Sequence, residues 1–82
     1  MNQIDLKKKI TEVLNAVLKI SKTNKIENLS ISNTDAWDSL KHISIIMTLE
    51  EEVNIKFTND EIVEATSFEN ILKIVSKKIN TN

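Results

Sequence analysis

The hydroxyl best placed to do chemistry in this chain is that of Ser39, in the run Asp35-Ala36-Trp37-Asp38-Ser39-Leu40. Asp38 is of the residue type that caps a helix by accepting backbone N–H bonds. Ser39 then falls in the first helical turn, among N–H groups without intrahelical partners and at the positive end of the dipole. A hydroxyl held there is suited to take on a phosphate. The plainer alternative is a serine that merely begins a helix. His42 follows within one turn and could approach Ser39, but a nucleophile and base need a third group to orient them, and none is evident, so the chain reads as no enzyme. Trp37 is expected to pack the preceding loop onto the helix start. The acids lie on a helix end without the loop spacing of a calcium site, and one histidine does not make a zinc site.

The element that must position Ser39 is a helix over about 39–53. At 100° per residue, with Leu40 at zero, Ile45, Leu49, Val53 and Ile46 fall between about 140° and 240° and form a core stripe. Leu40, Ile43 and Met47 fall between about 300° and 360°. That second apolar strip lies beside Ser39 and cannot face the same core centre. Either the helix is buried broadly or the strip is a docking surface. Glu50-Glu51-Glu52 ends the helix where the dipole disfavours negative charge, so stability alone does not account for three acids. Asn54 can adopt the left-handed conformation that stops a helix.

Gly and Pro are absent, so boundaries rest on polar clusters and on period. Leu6, Ile10, Val13, Leu14 and Val17 make one stripe of a helix from about Gln3 to Lys19. Residues 21–37 show no sustained period and predict a long loop pinned through Ile26, Leu29 and Ile31. Thr58-Asn59-Asp60-Glu61 reads as a capping box opening a short helix to about Glu64, with Ile62 and Val63 turned inward. Thr66-Ser67-Phe68-Glu69 repeats the device and opens a last helix with the stripe Phe68, Ile71, Leu72, Val75 and Ile79. The expectation is an all-α, antiparallel bundle of three longer helices and one short one, a single domain over residues 1–82.

Net charge is −1, but its distribution is uneven. Residues 1–34 carry six lysines against three acids, residues 35–69 two against nine, and residues 70–82 three lysines and no acid. A basic partner docking near Ser39 would be steered by that acidic block. Lys7-Lys8-Lys9 is too short, and lacks the arginine or aromatic company, for a nucleic-acid surface. No cysteine is present, so any thiol chemistry must come from an added group. No apolar run exceeds three residues and the N-terminus shows no signal-peptide core, which predicts an untargeted cytoplasmic monomer without a membrane span.

Asp38-Ser39-Leu40, the apolar and acidic helix after it, the long loop before it and two further helices in register together resemble acyl carrier proteins, over roughly Ile4 to Ile79. The resemblance implies 4′-phosphopantetheine, taken from coenzyme A, on Ser39 next to Asp38. It implies a phosphopantetheinyl transferase as modifying partner, and acyl-transfer, ligase or synthase enzymes as pathway partners. Leu40, Met47, Glu50 and Glu51 match its partner-contact positions, and Ile43 joins them as a docking candidate through the apolar strip. Lys41, His42 and Ser44 depart from the acidic helix surface of the fatty-acid type. A carrier for fatty acid synthesis or for a specialised pathway is therefore expected, against a small helical interaction module with no prosthetic group.

Overall fold

The computed structural model describes residues 2–19 and 28–80. They form α1 (Gln3–Leu18), α2 (Ser39–Val53), α3 (Asn59–Glu64) and α4 (Phe68–Asn80), with a 3-10 turn, Ile31–Asn33, ahead of α2. The chain is all-α: among the described residues the only extended pairing is an isolated bridge between Ser30 and Ser67. Of the expected loop anchors, Leu29 packs against the core, Ile31 is exposed instead, and Ile26 lies outside the described residues.

α1 starts where the Asn2 side chain accepts from the Asp5 N–H at 2.8 Å. It ends at Lys19, left-handed at φ 54° and ψ 39°, whose N–H bonds the Asn15 carbonyl. Leu6, Ile10, Val13, Leu14 and Leu18 line its buried face, with Val17 partly buried beside them. That face packs on α2 and α4. Gln3 meets Ser76 near the end of α4, and Lys9 meets Glu52 at the end of α2, so both helices run antiparallel to α1. Ile45, Ile46 and Leu49 of α2 and Phe68, Ile71 and Val75 of α4 complete the core, and Leu72 and Ile79 pack at its margin.

The short helix needs outside support, because six residues are too few to hold a helix in water. The capping box expected at its start is present: Glu61 N–H donates to Thr58 Oγ1 at 3.1 Å, and Thr58 N–H donates to Glu61 Oε1 at 2.8 Å. Lys78 of α4 reaches the same carboxylate at 2.8 Å. Two expectations are corrected nearby. Val63 points to solvent rather than inward, while Ile62 is partly buried. The cap of α4 is Ser67 rather than Thr66, accepting from the Asn70 N–H at 3.0 Å. The isolated bridge explains the shift. Phe68 N–H donates to Leu29 and Ile31 N–H to Thr66, which holds residues 66–68 extended until Ser67.

Two outcomes follow from this packing. Leu49→Ala and Ile46→Ala should each cost about 2–4 kcal/mol in chemical denaturation, as deletions from a close-packed core, while exposed Met47→Ala should cost well under half of that. Glu61 is held below its ordinary carboxylate range, first by Lys78 and then by the Thr58 N–H. A lowered folded-state value means stability that is present at neutral pH and is lost as pH falls below about 4, into and through the lowered value. Glu61→Gln should therefore flatten the acid limb of a stability-against-pH curve.

Candidate functional site

The segment entering α2 is tied down residue by residue. Trp37 N–H closes a turn onto the Thr34 carbonyl at 2.9 Å, and the indole is buried. Asp38 is extended, at φ −97° and ψ −175°, as a cap must be. Its Oδ1 accepts from Lys41 N–H at 2.9 Å, and its carbonyl accepts from His42 N–H at 2.8 Å. Ser39 follows as the first residue of α2, exposed. Its hydroxyl has no hydrogen bond among the described residues. The site thus offers an unengaged hydroxyl at a capped helix start, where a phosphodiester would find solvent, space and the positive end of the dipole.

His42 does not serve Ser39. Its ring is buried, with Nδ1 3.1 Å from Trp37 Nε1 and Nε2 2.8 Å from the Ile62 carbonyl. An indole nitrogen can only donate, so Nδ1 must be the unprotonated acceptor and Nε2–H the donor. The ring planes lie tilted at 32° with centroids 6.1 Å apart. Both nitrogens are therefore committed to structure. The approach of His42 to Ser39 that their spacing allowed is thus not made, and the ring's actual partners lie 5 and 20 residues away.

Beyond Ser39, α2 shows two faces. Ile45, Ile46 and Leu49 are buried, whereas Leu40 is 82 % exposed, Met47 61 % and Ile43 48 %. Val63 on α3, next to the carbonyl that His42 reaches, is 73 % exposed. Met47 continues into an open groove of about 500 Å³ lined by Glu50, Glu51, Asn54, Ile55 and Lys56. The three acids at the helix end divide. Glu50 is partly buried and its Oε2 accepts from Phe57 N–H at 2.9 Å, across the left-handed Asn54. Glu52 pairs with Lys9 at 3.1 Å, and the pairing holds the lysine above its ordinary value. Glu51 is exposed and makes no ion pair among the described residues. Two of the three acids thus have structural partners that the sequence did not reveal.

Among the described residues no helix is long and apolar enough to cross a membrane. No family model matches the chain. It is similar to an acyl carrier protein of Guillardia theta, 22 % identical over 79 residues, which cover 96 % of this chain and 98 % of the relative.

The division among the acids has a measurable consequence. Glu50→Lys should destabilise the fold by about 1–3 kcal/mol, because it strips the partly buried Phe57 N–H of its acceptor. Glu51→Lys should stay within about 0.5 kcal/mol of the parent, as a surface change. Paired thermal melts separate the two.

Proposed function

We propose that this chain is a non-catalytic carrier that holds acyl or aminoacyl groups on a 4′-phosphopantetheine arm joined to Ser39. The observation that carries this reading is the unengaged Ser39 hydroxyl, at an Asp38-capped helix start beside the exposed strip Leu40, Ile43 and Met47. The similarity to an acyl carrier protein along nearly the whole chain supports it. When bound, the arm supplies the thiol that a chain without cysteine lacks.

Each residue has a stated task in this scheme. Ser39 Oγ attacks the coenzyme A phosphate nearer the pantetheine, in the active site of a transferase that takes the hydroxyl proton. The Oγ–P bond forms as the pyrophosphate P–O bond breaks, and the nucleotide leaves. Asp38 keeps the turn at the head of α2 in shape by accepting from Lys41. Leu40, Ile43 and Met47 are the apolar surface on which a partner closes and excludes water. Glu51 with Glu50 marks the far end of that surface. Partners are the phosphopantetheinyl transferase and the acyl-transfer, ligase or synthase enzymes of one cytoplasmic biosynthetic pathway. Lys41 and Ser44 interrupt the acidic character of the helix surface, which favours a specialised pathway over fatty acid synthesis.

Incubation with coenzyme A, magnesium and a promiscuous transferase should add one phosphopantetheine to the intact mass. Ser39→Ala should stay folded and gain nothing, because its hydroxyl has no structural partner to lose. An unchanged mass of the parent with several transferases would leave the chain an interaction module without a prosthetic group.

A further inference from the structure

We propose that His42 is a positioning residue, whose neutral ring holds the Asp38-Ser39 turn in the geometry that a modifying enzyme engages by accepting from Trp37 and donating to Ile62. The inference rests on the carrier reading of Ser39 and adds to it how the serine is kept in place.

Trp37 and His42 bracket the motif, with four residues between them. The bond from Trp37 Nε1 to His42 Nδ1 closes this short segment into a side-chain ring around Asp38 and Ser39. The Trp37 N–H to Thr34 and the Asp38 bonds to Lys41 and His42 fix the backbone on either side. A serine that must be exposed to be modified cannot be anchored through its own side chain. It can be anchored only through its neighbours, and both buried neighbours belong to this one relay.

Packing alone would not call for a histidine. The core stripe of α2 is otherwise Ile45, Ile46 and Leu49, and an aliphatic residue at position 42 would bury as well. What the imidazole adds is one acceptor and one donor, in a single tautomer, aimed in two directions. The donor meets the Ile62 carbonyl, one of the last carbonyls of α3, which lack intrahelical partners. The short helix is thereby tied at its start by Glu61 to Lys78 and toward its end by Ile62 to His42. Loosening the ring would release both the approach to Ser39 and the C-terminal end of α3.

The two bonds can be cut separately. An asparagine side chain places its amide oxygen near the position of Nδ1 and can still accept from Trp37. A glutamine places its amide nitrogen near Nε2 and can still donate to Ile62. Transferase kcat/KM for the apo carrier should fall about five- to tenfold in Trp37→Phe and His42→Gln, the change expected for one lost buried hydrogen bond, and at least as far in His42→Leu, which loses both bonds. The fall should appear mainly in KM, and His42→Asn should recover most of it. Trp37→Phe combined with His42→Leu should be no worse than His42→Leu alone, since that variant has already lost the Trp37 bond. Amide exchange at Lys41 and His42, whose N–H groups donate to Asp38, should accelerate in the impaired variants well below their melting temperatures.

Equal kcat/KM in Trp37→Phe and the parent, with unchanged exchange at Lys41 and His42, would overturn the proposal and leave the ring as packing. Failure of His42→Asn to recover the rate would overturn the assignment to the Trp37 bond. Should His42→Leu fail to fold, Trp37→Phe carries the test, since it keeps an aromatic body and removes only the donor ring. A parent that gains no mass sinks the carrier reading instead, and the exchange measurement then decides the positioning by itself.

Discussion

The packing of one face of α2 against α1 sets what the rest of the molecule can be. An 82-residue chain can build a single core of limited size, and here Ile45, Ile46 and Leu49 are spent on it. Of the other apolar residues of α2, Val53 packs at the core margin, while Leu40, Ile43 and Met47 stay exposed among the described residues. Exposed apolar side chains are common one at a time. Three on one edge of a helix that begins with an exposed serine are a surface, and the smallness of the fold is what leaves it open.

Without glycine or proline, every direction change must be made by side chains or by strained backbone. Lys19 and Asn54 take the left-handed conformation; this costs asparagine little and lysine about 1 kcal/mol more. Asn2, Asp38, Thr58 and Ser67 cap the four helices in turn. The capping pattern leaves the serine motif in an unusual position. Asp38 is both the cap of α2, with its Oδ1 engaged by Lys41 N–H, and the immediate neighbour of the exposed Ser39.

The helices were legible because period and capping are local. Stripes at three- and four-residue spacing marked α1 and α2 to within a residue of their ends and the buried face of α4, and the Thr58 to Glu61 box marked α3. What local pattern could not carry was any pairing across the chain. Glu61 with Lys78, Lys9 with Glu52 and His42 with Ile62 join segments whose approach depends on the finished fold. The same limit accounts for Val63, whose outward direction is set by where α3 is tethered, and for the start of α4, fixed by pairing with Leu29 and Ile31. At the site, Ser39, its cap and the two arcs of α2 could be read from spacing. The relay that holds them could not, because tryptophan and histidine five apart carry no periodic signal.

The acidic block illustrates the difference between a charge count and an available field. Nine acids lie between Asp35 and Glu69, but Asp38 caps α2, Glu50 holds Phe57 N–H, and Glu52, Glu61 and Glu69 pair with Lys9, Lys78 and Lys73. Asp35, Glu51, Asp60 and Glu64 make no ion pair among the described residues. Exposed charges of this kind act over roughly 10 Å at ordinary salt, enough to orient an approaching basic surface and too weak to select among such surfaces. Shape and apolar contact close to Ser39 act at shorter range. Leu40, Ile43 and Met47 stand exposed beside it, which makes α2 at once a wall of the core and an open apolar face.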